Sequence, residues 1–166
     1  MLAYHEVSLD QLGSVLENGL RQGNRGSKGD DKMIVETDEY LDVRCPKHLK
    51  AQGVSRAKNI YAYIRSGDEI IDIVDGSRVS IEEFVERSRG GLLEISVDDR
   101  RCFVSDLDTY DALKAAIEGR VNRSELERLA DSYWSKVKPV TESADYRRPE
   151  LMITYDLSPI DLTRLS

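Results

Sequence analysis

The chain is poor in cysteine: Cys45 and Cys102 are its only two thiols among 166 residues. Two distant thiols make no disulfide framework, and no CxxC pair offers a zinc site. No metal is therefore expected, and a reducing cytoplasm is the expected location. Long apolar runs are missing too. None approaches the roughly 18–20 residues that cross a bilayer. The N-terminus lacks a basic segment followed by a hydrophobic one, so neither a membrane span nor a signal peptide is expected. Positive charge is in deficit, with 24 basic against 31 acidic residues and a net charge of -7. That argues against broad, non-specific capture of nucleic acid, which takes a basic footprint. A small basic groove stays open. There is no internal repeat and no low-complexity tail.

What is present fits one globular domain over residues 1–166. The composition is 40% hydrophobic and 33% charged, enough to bury a real core. Leu2 to Val7 reads as a first strand, with His5 turned inward beside Tyr4 and Val7. Ser8 with Gln11 forms a capping box. Leu9, Leu12, Val15, Leu16 and Leu20 then recur at helical spacing, with Gly19 as the stop. Residues 21–32, RQGNRGSKGDDK, form a loop with three glycines and four basic side chains, Arg21, Arg25, Lys28 and Lys32. Such a loop can wrap a phosphate, although it matches neither GxxxxGK[ST] nor GxGxxG. A solvated loop explains it equally well.

Met33 to Val35 suggests a short strand, and Thr37 a cap for a helix over Asp38 to Val43 that breaks near Pro46. His48 reads as surface. Asn59 to Ile64 is a strand by composition, and Tyr61 and Tyr63 share one of its faces. They are either packing residues or a platform for a flat ring. Ile70 to Val74 is ambiguous between strand and helix. Ser80 with Glu83 caps a short helix that Gly90-Gly91 breaks. Leu92 to Val97 and Arg101 to Ser105 alternate as strands, joined at Asp99-Arg100. Two helices follow, one carrying Tyr110, Leu113, Ala116 and Ile117. The other starts at Ser124 with Glu127 as a capping box, carries Tyr133 and Trp134, and ends at Pro139. A looser stretch, Thr141 to Arg148, leads to a final strand. About six strands and four helices without strict alternation exclude a doubly wound parallel sheet. They point to a mixed, mostly antiparallel α+β fold.

The last strand carries the most informative residue. In RRPELMITYDLSP, residues 147–159, a single acid, Glu150, stands at the mouth of an apolar run. Charged groups avoid such positions unless paired or used. The plain explanation is a solvated strand end paired with Arg147 or Arg148.

Three stretches in order carry a resemblance. YHEVSLDQLGSVLENGL is similar to the opening of ADP-ribosyltransferase-fold proteins, where a Tyr-His strand runs into a helix ending in Gly-Leu. NIYAYI resembles the family's second motif, and RRPELMITYDLSP its third, a Pro-Glu pair opening a strand. The resemblance implies an α+β fold with a split antiparallel β core, surrounding helices and NAD in the cleft as co-substrate. His5 would bond a ribose hydroxyl. Tyr61 would stack on nicotinamide, with Tyr63 as the alternate. Arg21, Arg25 and Lys28 would meet the pyrophosphate, and catalytic Glu150 would stabilise charge on the ribose. The implied activity is NAD-dependent mono-ADP-ribosyl transfer to a macromolecular acceptor, nucleic acid or protein, with release of nicotinamide. It would be a toxin-like glycosyltransferase expected to have a neutralising, antitoxin-like partner. The alternatives are an RNA 2′-phosphotransferase-like enzyme of the same fold and a non-catalytic NAD- or ligand-binding module. Two departures stand out. Glu6 follows His5 where many relatives have glycine. Arg148, two residues before Glu150, replaces the acid or amide that accompanies arginine-directed transfer to proteins.

Overall fold

The computed structural model describes residues 1–142 and 144–165. The chain enters through strand β1 (Leu2–Glu6) and helix α1 (Leu9–Asn18), which buries Leu12 and Val15. Ser8 is the N-cap of α1, but its side chain accepts no cap hydrogen bond, so the expected capping box does not form. Gly19 ends the helix at a φ of 83°, and a Cβ there would lie 2.1 Å from the Leu157 carbonyl oxygen. A glycine is needed twice over, for the left-handed backbone and for the close approach. The contact continues as a bridge between Leu20 and Leu157, which pins the basic loop beside the C-terminal motif.

Helix α2 spans Lys32–Val43. The strand expected at Met33 to Val35 is therefore helical, and Thr37 lies inside the helix rather than at its cap. Asp31 decides this, because its carboxylate accepts from the N–H groups of Met33 and Ile34. A capped start outweighs the β preference of two branched residues. A short helix α3 (Lys47–Lys50) follows, with His48 exposed as expected. The remaining elements are β2 (Ile60–Ser66), β3 (Glu69–Ile71), β4 (Arg78–Ser80), α4 (Ile81–Arg87), β5 (Leu92–Ser96), β6 (Cys102–Asp106), α5 (Leu107–Glu118), α6 (Arg123–Ser135), β7 (Lys138–Pro139), β8 (Pro149–Ile153) and β9 (Leu162–Leu165). The α6 cap is Asn122, whose side chain accepts from Glu125 N–H, not Ser124. Ser143, in the looser stretch before β8, lies outside the described residues.

Among the described residues nine strands form one antiparallel sheet, in the order β7-β6-β8-β2-β1-β5-β9, with β3 and β4 branching from β2. The mixed, antiparallel α+β expectation holds. Strand β2 is the centre, because three strands use different parts of it. Its start pairs with β8 through Ile60↔Ile153, Tyr61↔Met152 and Ala62↔Leu151. Its middle pairs with β1 only at Tyr4↔Tyr63 and Ala3↔Ile64, and its end pairs with β3. After Tyr4, then, β1 leaves β2 and the sheet opens.

Apolar residues fill both faces. Ala3, Ile60, Ala62, Leu93, Ile95, Leu151 and Ile153 pack with Leu12 and Val15 of α1. Phe103 and Met152 pack against Leu41, Tyr110, Leu113, Tyr133 and Trp134 of α2, α5 and α6. Tyr4 joins a third cluster with Ile70, Val79, Phe84 and Leu92. His5 consequently shares a face with Ala3 rather than with Tyr4, as the period of two requires. No helix among the described residues is long and apolar enough to cross a membrane.

Candidate functional site

Where β1 parts from β2, a cavity of about 280 Å³ opens. His5, Arg21, Arg25, Tyr61, Tyr63 and Glu150 all line it, as do Glu6 and Lys28. Val15, Leu20, Ile60 and Ala62 contribute from the α1 face of the sheet, and Tyr61 and Glu150 from the other. The cavity thus runs through the gap in the sheet. Lys32, at the start of α2, does not line it.

His5 closes the gap with its side chain. Its Nδ1–H donates to the Tyr61 carbonyl at 2.6 Å, where a backbone ladder bond would otherwise stand. That bond selects the tautomer whose Nε2 is a bare acceptor. Burial, with a further push from Lys28, holds the imidazole below its ordinary range, offset in part by the bond to Tyr61. His5 can accordingly accept from a ligand hydroxyl at neutral pH.

Glu150 is 2% exposed. Strand alternation turns it toward the helices with Met152, whereas Leu151 and Ile153 face α1. It is not a solvated strand end, and its partner is neither Arg147 nor Arg148. Those two donate to Asp108 and Asp111, and to the carbonyls of Asp75 and Ile73. Glu150 is held instead by Arg56, whose Nη1 donates to Oε2 at 2.6 Å. Arg56 Nε donates to Asp38 at 3.2 Å, and Nη1 also donates to the Tyr133 hydroxyl at 3.2 Å. The guanidinium lies 4.3 Å from the ring centres of both Tyr61 and Tyr110. Arg25 approaches Asp38 at 3.6 Å, and Tyr110 donates to the same carboxylate at 2.9 Å. Two carboxylates thus face two guanidiniums, and the set is neutral as a whole. Burial still pushes the Asp38 carboxyl up, with Arg56, Tyr110 and Arg25 offsetting part of it.

The tyrosines divide their roles. Tyr61 carries Arg56 against its ring and donates its hydroxyl to the Arg56 carbonyl. Lys28 Nζ lies 5.9 Å from the same ring. Tyr63 meets Phe84 edge-on at 4.8 Å and donates to Glu6 at 2.6 Å, which gives the unexpected second acid a partner. Burial raises both phenols, so they remain donors. Ser105 stands directly opposite Glu150 across β6 and β8, fully buried, and its hydroxyl finds no hydrogen-bond partner among the described residues. Neither cysteine is a ready nucleophile, because burial pushes Cys45 up to about 11 and Cys102 up to about 12.

Sequence reasoning missed Arg56, Asp38 and Asp42. Arg56 sits in VSRAKN, a connection without periodicity. The two acids, four apart on α2, were a readable signal, since that spacing places both on one helix face. Family models, characterised proteins and solved structures were compared with this chain, and nothing matches.

Proposed function

We propose that this protein is an NAD-dependent mono-ADP-ribosyltransferase that releases nicotinamide and transfers ADP-ribose to a nucleic acid or protein acceptor. The observation that carries the reading is the shared cavity: residues 5, 21, 25, 61, 63 and 150, distant in sequence, line one gap in the sheet. The donor set suits NAD. His5 Nε2 accepts from a ribose hydroxyl, Tyr61 or Tyr63 meets the flat nicotinamide ring, and Arg21, Arg25 and Lys28 face the pyrophosphate. Pockets for drug-sized ligands run from about 300 to 1,000 Å³. A cavity of about 280 Å³ therefore takes the nicotinamide riboside end, with the rest of the dinucleotide along the basic loop.

In this reading the bond between the ribose and nicotinamide breaks with its electron pair leaving on nicotinamide. The sugar becomes oxocarbenium-like, and the Glu150 carboxylate stabilises that charge. A fixed carboxylate in a buried site does so better than water, which must reorganise. The acceptor then bonds the same carbon and gives its proton to solvent. The acidic balance of the chain leaves acceptor binding to the local cations, so a nucleic-acid acceptor would bind with strong salt dependence. A neutralising partner protein and a cytoplasmic setting belong to the same proposal.

One observation favours a second reading, a non-catalytic ligand-binding module: an oxygen of Glu150 is already committed to Arg56. An RNA 2′-phosphotransferase-like activity would draw on Arg21, Arg25 and Arg56 in the wall, each of which already meets a carboxylate: Asp156, Asp38 and Glu150 in turn. Nicotinamide release from NAD, compared between the parent and Glu150→Gln, separates these. Release by the parent and the loss of most of it in the variant, with a measurable residue, are expected. Equal release from both would remove Glu150 from the chemistry.

A further inference from the structure

The basis of the site is a single arginine. We propose that Arg56 is its positioning residue, gripping Glu150 by Oε2 so that the other carboxylate oxygen is presented to the cavity, with Asp38 and Asp42 of α2 gripping Arg56 in turn. The inference rests on the reading of Glu150 as catalytic.

Arg56 is held at every level. Its backbone N–H donates to Asp42 Oδ1 at 2.6 Å. The flanking residues bind the same carboxylate, Ser55 Oγ at 2.7 Å and Ala57 N–H at 3.1 Å, both to Oδ2. Asp42 therefore clasps three consecutive residues of the connection before β2. The edge of the guanidinium is fixed by Asp38, Glu150 and Tyr133, and its plane by the rings of Tyr61 and Tyr110. Such a group has little freedom: a planar fork, 5% exposed, with its direction set by its partners.

Glu150 has the opposite problem. A glutamate has three side-chain torsions, and the described bonds to its carboxylate come from Arg56 alone. Without Arg56 the carboxylate could turn toward Ser105, which stands opposite with an unpaired hydroxyl. Reaction at a ribose carbon depends on where the carboxylate oxygen sits, and a shift of about 1 Å can cost on the order of 100-fold in rate. A lysine at position 56 would keep the charge, but it lacks the fork that reaches Asp38 and Glu150 together.

The clamp also joins the basic loop to the catalytic strand. Asp38 receives Arg25 from the loop and Arg56 from the β2 connection. The order Arg25, Asp38, Arg56, Glu150 thus links the phosphate-facing cations to the catalytic carboxylate through side-chain contacts.

The test is a double-mutant cycle on NAD-dependent nicotinamide release, with kcat and KM resolved and melting temperature measured alongside. Arg56→Lys is expected to lower kcat on the order of 10–100-fold while KM for NAD stays within about threefold, as a positioning role implies. In a Glu150→Gln background the same substitution is expected to have almost no further effect, because the carboxylate it positions is gone. Asp42→Asn is expected to lower kcat in the same direction by a smaller factor, and it carries the test should Arg56→Lys fail to fold. A folded Arg56→Lys enzyme with unchanged kcat, or losses that multiply fully in the double variant, would overturn the positioning role alone. A parent that binds no NAD and releases no nicotinamide would overturn the functional reading and this role together.

Discussion

Two arginine–carboxylate clusters lie near the start of β8, and they differ in almost everything except their chemistry. Arg147 and Arg148, just before the strand, meet Asp108 and Asp111, with Arg147 60% exposed and Asp108 36%. Glu150, two residues further on, meets Arg56 and through it Asp38, with every member of that set near 5% exposed. In the first cluster water reaches Arg147 and both aspartates, with Arg148 alone mostly covered at 15% exposed, and exposed pairs such as Arg147–Asp108 contribute about 0–1 kcal/mol. In the second, removing one partner strands the others out of water, at about 3–5 kcal/mol. The outer cluster ties the loop at Ile73 and Asp75 to the strand entry. The inner one lines a cavity. Burial, not the type of ion pair, separates a fastening from a candidate site.

The contrast can be broken directly. Arg56→Met is expected to lower the unfolding free energy by about 3–5 kcal/mol in urea titrations, and Arg147→Met by about 0.2–1 kcal/mol. Similar losses from both would mean that burial is not the distinguishing feature. Next in size is Tyr61→Ala, expected to weaken NAD binding by roughly 1–3 kcal/mol in calorimetry if a ring stacks there. Tyr61→Phe, which loses the hydroxyl's bonds to the Arg56 and Ser55 carbonyls but keeps the ring, should bind nearly as the parent does. An unaffected Tyr61→Ala protein would assign the ring to Tyr63 and leave Tyr61 as the support of Arg56.

A smaller effect follows from pH. Burial lowers the His5 pKa below 6.5 in the folded protein, so the unfolded chain binds more protons just below that value. Stability contributed by neutral His5 is therefore present above about pH 6.5 and is lost as pH falls from there toward the folded value. Asp38 has the opposite sign: its raised pKa makes stability fall as pH rises through the window above 3.8. Urea midpoints between about pH 5 and 7 should flatten in His5→Asn, and an unchanged profile would show His5 to be solvated. The smallest change is expected from Ser105→Ala. A buried hydroxyl with no partner among the described residues contributes nothing that alanine lacks, so stability should stay level or rise slightly. A clear loss would reveal a bond from Ser105 to Glu150 or Tyr133.

The same division describes what could be read before the structure. Strands β1, β2, β5, β6 and β8 were legible because alternating or continuous apolar runs report burial on a sheet. Helices α5 and α6 were legible from their spacing. The α2 boundary was not, because Ile34 and Val35 favour strand and only the Asp31 cap tips them into a helix. His5, Tyr61 and Glu150 could be picked out as individually odd residues and through a family resemblance. Their meeting could not, since it depends on β1 leaving β2 after Tyr4. Arg56 was invisible for the converse reason. Apart from the nearby Tyr61 ring, what makes it special comes from α2, α5, α6 and β8, whose contacts with Arg56 lie 14 or more residues away in the chain.

The central claim is that this cavity cleaves NAD and passes ADP-ribose on. Its most direct test is nicotinamide release by the purified protein with single-stranded DNA, RNA or cell lysate added in turn, with Glu150→Gln as the comparison. The account predicts Glu150-dependent release that rises with one acceptor, which would also name the acceptor class. No release with any acceptor, together with no rise in melting temperature on adding NAD, would contradict it.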